Sequence, residues 1–153
     1  MTEPKSRAVL CLTPNPALDR TLTVPDLQLG TVARAPSARV AAGGKGVNVA
    51  RALAALGTEA LCMGPIGGAS GRILADLAAA ENLDAAWTWC DVETRSCIIL
   101  VDPAARQTTV INEAGPLLQP GDWNRVSAEV LARASEARAV CLSGSLPPGV
   151  AAD

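Results

Sequence analysis

Lys45 is set among three glycines, Gly43, Gly44 and Gly46, with Asn48 three residues on. Val49, Leu53 and Leu56 follow at i, i+4 and i+7, a spacing that predicts a helix with one buried face, and Gly57 is placed to end it. A glycine turn running into a helix N-terminus presents unbonded N–H groups and the positive end of the dipole, and Lys45 adds a full charge. That combination suits an anion such as phosphate, or the oxygens of a polyol. A tight turn that needs glycine only for positive φ is the alternative for the same residues. Asp19 is the other residue of interest. It follows Thr13-Pro14-Asn15-Pro16, whose prolines forbid further sheet pairing, so Asn15 and Asp19 are expected on a loop past the C-terminal end of the first strand. Ligands bind there in parallel α/β sheets, although aspartate is also common in ordinary turns.

The familiar nucleotide motifs do not fit. A P-loop requires GxxxxGK followed by Ser or Thr, yet Gly46 follows Lys45 and Arg39 stands where the first glycine belongs. The dinucleotide fingerprint GxGxxG fails at Val49. Histidine is absent, which removes histidine catalysis and His-ligated zinc. The net charge of −2, without a basic block, and three tryptophans as the whole aromatic content argue against a nucleic-acid surface. Five cysteines, never as CxxC and mostly in apolar runs, read as small buried hydrophobes in a reducing compartment. Glu3, Lys5 and Arg7 precede only a short apolar run, unlike a signal peptide, and Gly, Pro and charges interrupt every longer one. A cytoplasmic protein without membrane association is expected.

Positioning these groups requires elements that the apolar pattern supplies. Ala8–Leu12, Ala60–Met63 and Ala139–Leu142 are short, continuous apolar runs expected as buried parallel strands. Asp84–Cys90 is a further strand. Between them, Gly67–Gly71 leads into a helix with Ile73, Leu74, Leu77 and Ala78 on one side, ending near Asn82. Another helix is expected from Asp122 as N-cap, burying Val126, Val130, Leu131 and Ala134. The alternation predicts a parallel sheet with crossover helices. Thr21–Val24 and Ala38–Ala41 read as edge strands of a small accessory sheet, and Ser96–Asp102 with Gln107–Asn112 as a hairpin across Pro103–Arg106.

Taken in order, TPNPALD, AAGGKGVNVARAL, GPIGGASG, Thr94-Arg95 before the hairpin, and LSGSLPPGV make a chain that resembles the PfkB branch of the ribokinase-like carbohydrate kinases. Asn112–Pro116 and Asp122-Trp123 bring it nearest the 1-phosphofructokinases of that branch, with tagatose-6-phosphate kinases close behind. The resemblance implies a Rossmann-like αβα fold, with residues 1–153 forming the N-terminal part of the kinase domain and lid strands near 20–41 and 96–112. It implies ATP- and Mg²⁺-dependent phosphorylation of a sugar phosphate: fructose 1-phosphate first, tagatose 6-phosphate or fructose 6-phosphate as alternatives. A lid-mediated homodimer is also implied.

On matching positions, Asp19 would accept hydrogen bonds from sugar hydroxyls. Gly43 and Gly44 would let the backbone approach, and Asn48 would contact the sugar. Lys45, Arg95 and Ser145 would meet the existing phosphate, Arg95 through its bidentate fork unless it is a solvated charge at the hairpin base. The family's catalytic aspartate lies in a GAGD motif, with most of the ATP pocket, in a C-terminal part that these 153 residues do not contain. No catalytic residue is expected here, and the chain by itself is expected to be inactive or to act as a non-catalytic sugar-phosphate-binding fragment. The whole reading requires Asp19 and Asn48 to open on one cavity.

Overall fold

The computed structural model describes residues 8–150; Glu3, Lys5 and Arg7 lie outside them. Two four-stranded sheets share the chain. In the first, β1 (Val9–Leu12) lies between β4 (Ala60–Ile66) and β8 (Ala139–Leu142), with β5 (Asp84–Trp89) beyond β4, and every pairing is parallel. Helices α1 (Lys45–Ala55) and α2 (Gly68–Ala80) cover one face, where Cys11, Cys62, Val47, Ala50 and Leu74 form a core. Helix α3 (Pro120–Ala134) covers the other, packing Val126 and Val130 on Leu10, Leu12 and Met63. The chain leaves β1 toward β4 on one side and returns to β8 on the other. The C-terminal ends of β1 and β8 therefore flank a topological switch point, the place where open α/β sheets bind ligands.

The second sheet runs β3-β2-β6-β7, from β2 (Ala17–Thr23), β3 (Ser37–Gly43), β6 (Arg95–Asp102) and β7 (Gln107–Asn112). β2 is an inner strand, antiparallel to β3 and parallel to β6, not the edge strand expected. It also begins earlier than the sequence suggests. Pro14 and Pro16 end pairing with the first sheet, but the chain turns only through Thr13–Pro16 before entering the second. Asp19 is thus a strand residue, not a loop residue.

Four further expectations are corrected. The buried face of α1 is Gly46, Val47 and Ala50, with Val49 and Leu53 only half-buried, and Leu56 is the C-cap at 79% exposure. Glycine and alanine carry that contact because the helix lies close on the sheet. α3 starts at Pro120, with Gln119 as N-cap and proline at N1; Asp122 sits in the first turn paired to Arg125 at 2.7 Å, and Leu131 faces outward. β8, expected buried, pairs with β1 alone among the described residues and leaves Val140 and Leu142 exposed. In α2, Leu74 and Ala78 are buried, while Ile73 is exposed.

α2 is tied at its head to the segment before β6. Glu93 accepts from the amides of Ala69 and Ser70 at 3.1 and 2.6 Å, and a hydrogen bond with the Ser70 side chain foremost, then these amides, holds its carboxyl below the usual glutamate range. Thr94 Oγ1 accepts from Gly67 N at 2.9 Å and donates to Gly67 O at 3.1 Å. The GPIGG turn thereby spends its polar groups on fixing where β6 begins. At the far end of the second sheet, Asp102 accepts from the amides of Asp26, Leu27, Ala104 and Ala105, pinning two turns together. No helix among the described residues is long and apolar enough to cross a membrane.

Candidate functional site

Register places one row across the second sheet: Ala41 on β3, Asp19 on β2, Cys97 on β6 and Asn112 on β7. Residues directly opposite on neighbouring strands share a face, and Asp19, Cys97 and Asn112 form one wall of a cavity of about 520 Å³. The head of α1 forms a second wall with Gly44, Lys45 and Asn48. Gly144, Ser145 and Leu146, after β8, and Asn15, Glu113 and Ala114 complete it. The volume lies within the range of small-molecule sites.

Of the residues singled out from sequence, Asp19, Gly44, Lys45, Asn48, Arg95 and Ser145 all line this cavity. Gly43 does not; it stands behind it. A Cβ at Gly43 would collide with the Asp19 carboxylate, so the absence of a side chain there lets that carboxylate take its position. Gly44 is the N-cap of α1 with φ 114°, a conformation that favours glycine, and a Cβ there would collide with Thr13 Cγ2.

The α1 N-terminus is held from outside the helix. Thr13 Oγ1 accepts from Val47 N at 3.0 Å, and Asn48 N makes its hydrogen bond to Gly44 O at 3.0 Å. The amides of Lys45 and Gly46 remain outside the intrahelical ladder at the cavity end. Lys45 is exposed beside them.

Asp19 is half-buried, and burial raises its pKa above the ordinary aspartate value; a hydrogen bond with the Cys97 thiol and the Arg95 and Arg51 guanidiniums pull it back. Burial, reinforced by the Asp19 charge, pushes the Cys97 thiol up. Cys97 is therefore more than a small core hydrophobe, the role read for all five cysteines. Cys11, Cys62 and Cys90 are buried as expected and Cys141 is half-buried; desolvation pushes Cys11 up to about 11 and Cys62 up to about 12, values that keep those thiols protonated.

Arg95 is more committed than its sequence context suggests. Its Nε and Nη2 donate to Asn15 O at 3.2 and 3.1 Å, and its Nη1 to Glu113 O at 3.0 Å. Three of five N–H donors thus brace the loops around the cavity, leaving two. Asn15 Nδ2 donates to Ala114 O at 2.9 Å, and Glu113 accepts from Ser96 N at 2.7 Å. Asn15, Cys97, Asn112 and Glu113 are cavity residues that sequence reasoning did not assign. Asn15 carried a signal, its place between two prolines at a strand end. The others depend on strand register, which the sequence does not display.

Among the described residues no group of three His, Cys, Asp or Glu side chains is arranged to hold a metal ion. The cavity offers donors and one desolvated acceptor: a place for a small, polar, anionic ligand.

The profile of the pfkB family carbohydrate kinases matches residues 15–153. The 1-phosphofructokinase of Rhodobacter capsulatus is 37% identical over 91% of this chain and 44% of its own length. The tagatose-6-phosphate kinase of Staphylococcus epidermidis is 32% identical over 95% of this chain and 46% of its own. Phosphofructokinase-2 from Escherichia coli, solved with fructose-6-phosphate, superposes with a TM-score of 0.88 at 33% identity, over 95% of this chain and 47% of its own; a tetrameric inhibited form of it is also known. The chain spans about half the length of these relatives. With a parallel sheet, a second sheet walling the cavity, and a sequence match running from Asn15 onward, the chain belongs to the PfkB family of carbohydrate kinases.

Proposed function

We propose that the cavity is the sugar-phosphate half of a kinase site, and that the reaction it serves is ATP-dependent phosphorylation of fructose 1-phosphate to fructose 1,6-bisphosphate. The observation that carries this reading is that Asp19 and Asn48 line one cavity, beside Lys45 and the first amides of α1. A carboxylate accepts and an amide can donate, so hydroxyls are the groups that satisfy both. Lys45, Ser145, the Lys45 and Gly46 amides and the two uncommitted N–H groups of Arg95 are assigned to the phosphate already on the sugar. Positioning dominates phosphoryl transfer, and these residues supply it.

ATP, when bound, supplies the phosphoryl group; family membership supports its use. The cavity's donor set does not fit Mg²⁺, for its carboxylates are already engaged: Asp19 is assigned to hydroxyls, and Glu113 is held by Ser96 N. For the same reason no general base is assigned among residues 8–150. Binding without turnover by this chain alone is the second reading, favoured by that observation. We assign the second sheet as a lid and self-contact face, since Val40 and Ile111 lie in one register row and are both exposed on it.

Calorimetry on the 153-residue chain tests the proposal, with fructose 1-phosphate, tagatose 6-phosphate and fructose 6-phosphate, each with and without ATP and Mg²⁺. Saturable binding of fructose 1-phosphate in preference to the others is expected, with no ADP formed. Failure to bind any of the three refutes the site assignment. Preference for a 6-phosphate refutes the choice of substrate. ADP formation dependent on the sugar refutes the reading of binding without turnover.

A further inference from the structure

We infer that Arg51, clamped by Glu81, is a positioning residue that fixes the Asn48 side chain with its amide NH₂ toward the cavity, so that position 48 meets the ligand as a hydrogen-bond donor. The inference deepens the proposed function and rests on it for the identity of the ligand. Arg51 lies three residues after Asn48 on α1, close to one turn. Its Nη1 donates to Asn48 Oδ1 at 2.6 Å, and its Nη2 to Ala42 O at 2.9 Å. Nε and Nη2 both donate to the carboxylate of Glu81, the C-cap of α2, Nη2 at 3.1 Å.

The polarity of the Asn48 amide follows from chemistry. A guanidinium carries donors only, so the Asn48 atom facing Arg51 must be the oxygen, whichever way the amide is drawn. Committing the amide oxygen to Arg51 leaves the amide nitrogen as the group available to another partner. Asn48 lines the cavity, and its NH₂ has no acceptor among the described residues. Glu81 makes the arrangement rigid. It receives the fork of Arg51 in a two-bond contact, and the hydrogen bond from Arg51 holds its own carboxyl below the usual glutamate range. Without Glu81, a long and partly exposed side chain would hold Asn48 with only the Ala42 carbonyl to anchor it. Asp19, which lines the same cavity, is acceptor-only. The pair is therefore polar in one sense, donor on α1 and acceptor on β2, and a ligand hydroxyl between them has its own orientation dictated.

The test uses the 153-residue chain, its Arg51→Met, Glu81→Gln, Asn48→Ala and Asn48→Asp variants, and two readouts. The first is the order of the Asn48 side-chain NH₂ by ¹⁵N NMR without ligand, a signature that a merely structural role would not move. An ordered amide in the parent and a freely reorienting one in Arg51→Met is expected, with Glu81→Gln between. The second is the calorimetric Kd for fructose 1-phosphate. Arg51→Met is expected to weaken it roughly tenfold, the scale of one charge-assisted hydrogen bond, and Glu81→Gln by less. Asn48→Asp is expected to bind as poorly as Asn48→Ala, although aspartate would pair better with Arg51. Parent-like affinity in Asn48→Asp overturns the donor assignment. An unchanged amide signal in Arg51→Met, or in Glu81→Gln should Arg51→Met not fold, overturns the clamp. A parent chain that binds no sugar phosphate refutes the proposed function instead, and the amide signal still decides the clamp.

Discussion

Gly43→Ala separates the position of the Asp19 carboxylate from its chemistry. Gly43 lies in β3 and pairs with Ala17, and its φ is not among the positive values, so the backbone accepts alanine without strain. The cost falls on one neighbour. The new Cβ would lie 2.5 Å from Asp19 Oδ2 and closer still to the rest of the carboxylate, where ordinary contact begins at 3.4 Å. Even that farthest oxygen must retreat by about 0.9 Å, and Asp19 has to turn or its strand has to shift. A displacement of that size removes a charged hydrogen bond to the ligand, worth about 1.5–3 kcal/mol, or roughly 10- to 150-fold in Kd. Calorimetry with fructose 1-phosphate reads the loss, with circular dichroism as the check on folding. Asp19→Ala should give a similar loss, and the double variant should be no weaker than Asp19→Ala, because both changes act on one group. A folded Gly43→Ala chain that binds as tightly as the parent would refute the assignment of Asp19. Losses that simply add would show that Gly43 acts through something else.

Two further perturbations bear on charge. Burial raises the Asp19 pKa, so its ionisation opposes folding: the stability linked to its neutral form is full below the ordinary aspartate value and is lost as pH rises through the raised folded value; Asp19→Asn should raise the melting temperature at pH 7 while weakening sugar-phosphate binding, and a lower melting temperature would contradict the desolvation argument. Asp102 behaves oppositely: its hydrogen bonds from Ala105, Leu27, Asp26 and Ala104 amides lower its pKa below the usual 3.8, giving stability that is present above that value and lost as pH falls through the folded pKa. Asp102→Asn should speed exchange of those four amides at neutral pH and abolish the acid dependence of their protection; exchange that is unaltered by the substitution would exclude Asp102 as the pin.

Most of the site was readable because its parts lie in contiguous stretches. Gly43–Asn48 announces its own conformation through glycine, and Ser143–Gly149 ends a strand with residues that cannot extend it. What could not be read is what depends on which strands lie side by side. Cys97 and Asn112 reach the cavity only because β6 pairs with β2 and β7 with β6, and nothing local in TRSCIILV or QTTVIN distinguishes those residues from their neighbours. The fold class followed from alternating strand and helix patterns, but burial was misjudged where packing, not hydrophobicity, decided it. Val47 and Ala50 of α1 are buried while the larger Leu56 is not, because close approach to β1 and β4 suits small side chains. Likewise AVCL reads as a buried strand but pairs with β1 alone among the described residues, since sequence reports the polarity of a strand and not the number of its partners.

The acceptor of the pair is borne by one sheet, and the donor by a helix laid on the other. Four passages join these bodies: residues 13–16, Gly44, residues 90–94 and residues 113–119. On the proposed assignment, any change in the angle between them would alter the gap that a ligand hydroxyl has to bridge, and a sugar held at both ends would act as a strut between the two sheets.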